Sequence, residues 1–370
     1  MPGTYRRGYD VVFAWTGGRK MTGPGAPLPT ADLAHIMDHT RELWESCRGA
    51  RILVTGGTGL VGSWMLESAL HANQALGLDM EITSLVRDRA RFDATFPHLA
   101  ASASLTLCEG DVRTFDPPTL NFTHIVHTAS AASRAEVTQN PEGVVELIER
   151  GTDHVLEIAR AGVGVRFLQM SSGSVYGPQP SGLPAFTEAC AATADRADPR
   201  QRFGAAKRRA EQAGEAVVSA GVGFVSARAF ALVGPRLPLD ADFALGNFLG
   251  DARAGRPITI TSDGTVERSW IYMADLTAWC WTLLQRGTPG RAYNVGSEEA
   301  MSLWDAAQRV ARLPDTPVRV ERLREPSPGA EPSRYIPDIA RARDELGLDA
   351  WIPFDDAIRR TWGWLRNLPI

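Results

Sequence analysis

Short runs of β-branched and apolar residues predict strands at Arg51–Thr55, Glu81–Val86, Leu105–Glu109, His124–Thr128, Val165–Met170 and Gly223–Arg228. Between them, apolar residues recur at helical spacing over Leu60–Ala75, Pro141–Ala161 and Phe203–Ala220, the pattern of helices with one buried face. Strands alternating with helices of crossover length imply an α/β fold, a doubly wound parallel sheet covered on both faces, over residues 51–230. After Phe230 the pattern breaks into short elements rich in Pro and Gly. Residues 231–370 are therefore expected to form mainly a smaller C-terminal substrate-binding lobe, with segments near 270–296 returning to the first domain. Upstream, Leu33, Ile36, Met37, Leu43, Trp44 and Cys47 fall at helical spacing within 31–48, predicting an amphipathic helix against the body. Residues 1–30 lack periodicity, so 1–50 reads as a leader followed by an accessory helix. His35 and His39 share that helix without a third ligand in view, and read as an exposed pair rather than a metal site.

Composition narrows the function by exclusion. The chain has 370 residues, 44% hydrophobic and 22% charged, with net charge −4. No basic field exists to attract nucleic acid or an anionic membrane. Cys47, Cys108, Cys190 and Cys280 lie far apart, which favours free thiols in a reducing cytosol over a disulfide framework. No apolar run approaches the ~20 residues that span a bilayer, so a cytoplasmic protein is expected.

The chemistry begins at Arg51-Ile-Leu-Val-Thr-Gly-Gly-Thr-Gly-Leu-Val-Gly62, a buried strand running into a glycine turn and a helix. Gly56 permits the tight turn, Gly59 lets the backbone approach a pyrophosphate, and Gly62 lets the helix lie close to the sheet. Thr58, Leu60 and Val61 complete this Rossmann-type dinucleotide loop. No Gly-Lys-Ser/Thr follows, which excludes a P-loop. At the end of the second strand Val86 stands where NAD sites usually place an acid, and Arg87 follows. An Arg there pairs with a 2′-phosphate, so the cofactor is NADP or NAD with a lean to NADP. Arg87 stacking on adenine is the other reading. Asp111, with Val112, is placed to meet the adenine amino group, and Thr128, Ala129 and Ser130 follow the fourth strand past the cofactor.

These motifs resemble the extended short-chain dehydrogenase/reductases, specifically the nucleotide-sugar epimerase/dehydratase family, from about Arg51 to the C-terminus. In that resemblance Ser171-Ser-Gly-Ser-Val-Tyr-Gly177 is the active-site strand end, with Ser172 at the catalytic Ser/Thr position and Ser174 beside it. Phe203-Gly-Ala-Ala-Lys207 falls where the family has Tyr-x-x-x-Lys. Tyr and Lys four apart share one helix face; the ammonium lowers the phenol's pKa so that it exchanges the sugar hydroxyl's proton, and Lys207 also holds the nicotinamide ribose. The resemblance further implies a nucleoside diphosphate sugar as substrate, a homodimer through Pro141–Ala161 and Phe203–Ala220, Phe230 at the cofactor, and no metal. Substrate contacts are expected from Ser172, Gly173, Arg268 in the Gly264–Asp275 segment, Arg236, Asn247 and Arg334, with Arg334-Tyr335 resembling a C-terminal diphosphate or ribose contact, while Glu188 and Asp195–Pro199 fall on a loop facing the sugar.

The departure from the pattern is Phe203, which cannot exchange a proton. Three readings stay open: a Tyr-to-Phe change made to trap a substrate complex, a natural enzyme with another base, or a non-catalytic nucleotide-binding scaffold. Gly173 and Ser174 occupy the positions of the Asp-Glu pair that 4,6-dehydratases use, which disfavours dehydration. The pattern is closer to the 4-epimerases; an NADP-dependent 4-ketosugar reductase would use the same residues.

Overall fold

A computed structural model of the chain describes residues 25–130, 139–239 and 243–368. The strands are β1 (Arg51–Thr55), β2 (Glu81–Val86), β3 (Leu105–Glu109), β4 (His124–His127), β5 (Arg166–Ser172) and β6 (Gly223–Ala229). There follow β7 (Ala231–Val233), β8 (Ile258–Ile260), β9 (Glu267–Arg268) and β10 (Trp270–Tyr272), and then β11 (Ala292–Val295), which rejoins the large sheet. The last short strands are β12 (Met301–Ser302), β13 (Val320–Arg322) and β14 (Arg334–Tyr335). The large sheet has the order β11-β6-β5-β4-β1-β2-β3, with every pair parallel. Ile52, Leu53 and Val54 are wholly buried, as a parallel strand covered on both faces requires. The sheet order reverses between β1 and β4, so the loops leaving their carboxyl ends part and open a crevice for ligand.

Boundaries shift for local reasons. β4 stops at His127 because the Thr128 hydroxyl turns back to the Thr55 carbonyl at 2.6 Å. β5 continues through Ser172, whose register partner is Ala229. The helix expected over Phe203–Ala220 runs Arg202–Ala216 and ends in a 3-10 turn, Val218–Ala220. Cross-helix ion pairs Arg209–Asp153 and Arg202–Glu142 tie it to the Pro141–Ala161 helix at 3.0 Å each, so the face expected to form a dimer is charged. All four cysteines are free. Among the described residues no helix is long and apolar enough to cross a membrane.

The leader expected over residues 1–30 lies mostly outside the described residues, but its last few are tied down. The Leu28 amide donates to Glu67 Oε1 at 2.8 Å, and the Trp364 indole donates to the Pro27 carbonyl at 3.1 Å. The accessory helix, Thr30–Trp44, packs on the Met273–Arg286 helix, with the Trp44 and Trp281 rings 4.8 Å apart. Tyr272 donates to the buried carboxylate of Asp32 at 2.7 Å. His35 corrects the sequence expectation: it is not half of an exposed pair, because its Nε2 lies 2.7 Å from the fully buried Asp275 carboxylate.

Candidate active site

The glycine loop is built by steric necessity. Gly56 has φ +77°, and a Cβ there would stand 2.8 Å from the Ala129 nitrogen. A Cβ on Gly62 would meet the Gly56 carbonyl oxygen at 2.2 Å and Thr128 Oγ1 at 2.7 Å. The loop is closed by the Gly59 amide donating to the Gly56 carbonyl at 2.9 Å. The Leu60–Leu76 helix begins directly after Gly59, so the first-turn amides of Leu60, Val61 and Gly62 have no acceptor within the helix. They offer a positive end to a phosphate, beside the exposed Thr58. Across the crevice, Ala129 N donates to Thr55 Oγ1 at 3.3 Å. Ser130 Oγ is buried without a hydrogen-bond partner among the described residues. A cradle without room for side chains and an orphaned hydroxyl at its edge fit a dinucleotide.

At the other end of the crevice, Arg87 and Asp111 line a cleft of about 750 Å³ with Arg113, Asn140 and Gly143. Asp111 arrives there already engaged: Arg113 donates to its Oδ2 at 2.6 Å and its Oδ1 at 2.9 Å. That pairing holds its carboxyl down at about 2. Val112 is buried against Gly151, so any cofactor contact it makes is through its backbone.

At its carboxyl end, β5 delivers Ser172 into a short turn, Gly173–Tyr176. Ser172 Oγ accepts from the Ser174 amide at 3.1 Å and from Ser174 Oγ at 3.0 Å. Lys207 is buried and donates to the Met170 carbonyl at 2.8 Å; burial pulls its pKa down to about 8, against the charge of Glu211. Phe203 packs on Val144, Val145 and Ile148, with the Lys207 ammonium 5.7 Å from its ring centre. Tyr176 offers no base: its hydroxyl donates to Asn294 Oδ1 at 2.8 Å and accepts from Arg228 at 2.9 Å, and burial pushes its pKa up to about 12. A Cβ at Gly173 would lie 2.6 Å from the Phe230 ring and 2.7 Å from the Tyr335 hydroxyl. The position that carries an acid in dehydratases therefore has no room here for any side chain. Phe230 packs on Tyr335, ring centres 4.6 Å apart.

Two further groups lie around this turn: Glu211, which sequence reasoning missed, and Tyr335, which it read as a diphosphate or ribose contact. Behind it, Ser171 Oγ donates to Glu211 Oε1 at 2.6 Å, and Arg228 holds the same carboxylate at 2.7 Å. The one sequence signal for Glu211 is its position four residues after Lys207. In front of it, the Tyr335 hydroxyl stands 3.5 Å from Ser172 Oγ.

Of the expected substrate contacts, Arg268 stays close to the turn. It sits in register with Tyr335 across β9 and β14, its guanidinium 5.6 Å from that ring's centre, and burial pulls its pKa down. Arg334 beside it pairs with Glu267 at 2.6 Å, and Asn247 is half-buried on the Ala244–Arg253 helix. Arg236 is a correction. It is buried, forms an ion pair with Glu67, and donates to the Ala26 carbonyl at 2.9 Å. Its charge is neutralised inside the protein and holds the N-terminal segment rather than a diphosphate. Asp275, matched to a diphosphate-contacting segment, is likewise internal, accepting from His35 and from the Ile352 amide. Glu188 does not face a sugar either; it is buried and accepts from the Asn294 amide at 2.8 Å. Among the described residues no cluster of three ligating side chains could hold a metal.

Comparison with known proteins bears on the family and the fold. The profile of the NAD dependent epimerase/dehydratase family matches residues 52–296. UDP-glucuronic acid decarboxylase 1 of Arabidopsis thaliana is 28% identical over 319 residues, 86% of this chain and 70% of that protein. Its counterpart in Xenopus tropicalis is 27% identical, covering 86% and 72%. Among solved structures, an epimerase from Methanothermobacter thermautotrophicus superposes with TM-score 0.73 at 24% identity, covering 90% of this chain and 96% of that one. UDP-glucuronic acid 4-epimerase from Bacillus cereus gives 0.71 at 21%, covering 86% and 100%.

Proposed function

The chain belongs to the NAD dependent epimerase/dehydratase family, and we propose that it acts on a nucleoside diphosphate sugar by reversible oxidation at C4, in the manner of a 4-epimerase. The observation that supports this reading is that Ser172 at the end of β5, the Lys207 amine on the Met170 carbonyl of the same strand, and the glycine loop after β1 lie along the carboxyl edge of one parallel sheet. When bound, the nicotinamide supplies a hydride acceptor for the sugar carbon. The hydroxyl proton, which Phe203 cannot take, passes to solvent, and the chain's residues position the reactants. The amides of Leu60, Val61 and Gly62 hold the pyrophosphate, Lys207 directs its remaining protons toward the ribose, and Ser172 steers the sugar oxygen. Arg268 supplies a cation for the sugar's diphosphate.

Dehydration is disfavoured physically, because Gly173 has no space for an acid and Ser174 spends its hydroxyl on Ser172. A second reading is favoured by the decarboxylases among the relatives. Oxidation of a nucleotide uronic acid at C4 makes a β-keto acid, which loses carbon dioxide without a further protein carboxylate.

The test is to offer the chain UDP-glucose and UDP-glucuronic acid with NAD and with NADP, following reduced nicotinamide by absorbance and products by mass. A product of unchanged mass that separates chromatographically from the substrate supports epimerisation, and one lighter by carbon dioxide supports decarboxylation. Tighter binding of NADP than NAD supports the part assigned to Arg87. Absence of nucleotide-sugar binding would sink the reading in favour of a cofactor-binding scaffold.

A further inference from the structure

We propose that Tyr335 presents a phenol to the substrate as a hydrogen-bond donor, its hydroxyl meeting the same sugar oxygen as Ser172, without taking over the proton exchange that Phe203 cannot perform. The inference rests on the reading of the site as one for nucleotide-sugar oxidation. Tyr335 is 163 residues from Ser172 in the chain, yet its hydroxyl is 3.5 Å from Ser172 Oγ.

Three separate features put it there. β14 is locked in register with β9, Tyr335 against Arg268. The ring is held between Phe230, at 4.6 Å, and the Arg268 guanidinium. Gly173 leaves the path clear, since a Cβ there would lie 2.7 Å from the phenol oxygen. Glycine at that position therefore does more than remove an acid: it admits a hydroxyl from the C-terminal lobe. Phe203, by contrast, settles against the apolar residues of the Pro141–Ala161 helix.

The role follows from the surroundings. Burial pushes the phenol's pKa up to about 12, so it stays protonated and donates. Ser172 Oγ already accepts from Ser174 and keeps its own proton to give. Two donors aimed at one oxygen favour the carbonyl over the hydroxyl, the service an oxyanion-type donor performs. Tyr176 is committed to Arg228 and Asn294 and has no part in it.

Tyr335→Phe deletes the hydroxyl and keeps the ring that packs on Phe230 and Arg268, so the melting temperature should not move. With the NAD-loaded protein and UDP-glucose or UDP-glucuronic acid, kcat should fall roughly 100-fold with KM little changed. The ultraviolet difference spectrum of tyrosine produced by adding the UDP-sugar, which needs no turnover, should disappear. A wild-type kcat and difference spectrum in Tyr335→Phe overturn the proposal and leave the nucleotide-sugar reading standing. Failure of the unaltered protein to bind either UDP-sugar overturns that reading and this proposal with it.

Discussion

Glu211 is the buried charge on which the back of the active-site turn depends. Its carboxylate accepts from Arg228 at 2.7 and 3.0 Å and from Ser171 at 2.6 Å, and the two charged side chains are only 3% and 10% exposed. Glu211→Gln keeps the shape and removes the charge, leaving the Arg228 guanidinium buried against a neutral amide. Breaking one side of a buried pair costs roughly 3–5 kcal/mol. At ~2 °C per kcal/mol for a chain of this size, the melting temperature should fall by about 6–10 °C. The loss should be coupled to its partner. Glu211→Leu combined with Arg228→Met removes both charges, and should cost only the stranded Ser171 and Tyr176 hydroxyls, roughly 1–3 kcal/mol. A second consequence reaches the site: the Glu211 charge is what props up Lys207, so in Glu211→Gln the lysine pKa should fall further below about 8. Calorimetric unfolding of the single and double variants measures the coupling. A Glu211→Gln cost under about 1 kcal/mol, or costs that simply add, would refute the reasoning.

Gly62→Ala should abolish cofactor binding measured by titration calorimetry and cost roughly 1–3 kcal/mol of stability, because its Cβ meets backbone at 2.2 Å that cannot move aside; tight binding by this variant would show that the loop is not the pyrophosphate site. Buried His127 and His124 have folded pKa values pulled down to about 3 and about 4 by burial, below the free-imidazole value of about 6.5. The unfolded chain therefore takes up protons first as the pH falls. Their contribution is complete above pH ~6.5 and is lost downward through the folded values, up to about 1.4 kcal/mol per pH unit for each histidine. His127→Gln should flatten the pH dependence of urea unfolding by one proton, and an unchanged slope between pH 6 and 4 would count against the burial argument.

What the sequence shows and what it hides divide along the range of the forces involved. The Gly56, Gly59 and Gly62 spacing is legible because the backbone itself excludes side chains there, and a local constraint leaves a local mark. The strand–helix alternation is legible for the same reason, since each element's buried faces are written in its own periodicity. Arg236 misleads because its partner, Glu67, lies 169 residues away; a motif offset suggests a ligand, but nothing nearby announces an internal ion pair. Asp275 misleads in the same way, its partner His35 standing on a helix outside the matched region. The approach of Tyr335 to Ser172 depends on β14 pairing with β9, two strands of two residues each, too short for any periodicity to register. Phe203 is legible as a departure and Tyr335 as a diphosphate or ribose contact, but the approach of that hydroxyl to Ser172 is not.

The Thr30–Trp44 helix lies upstream of residues 52–296, which the family profile matches, yet it roofs the Met273–Arg286 helix, answers Asp275 with His35, and brings Asp32 to Tyr272. The limit of kinship and the limit of the folding unit are thus different places on this chain. A protein trimmed to the shared span would not be a smaller version of the same enzyme. It would carry an open wall of Tyr272, Leu276 and Trp281 and a carboxylate at Asp275 stripped of its counterpart, a surface made for clumping with its own kind. What looks like an appendage in a comparison of sequences has become part of the wall that keeps this fold to itself.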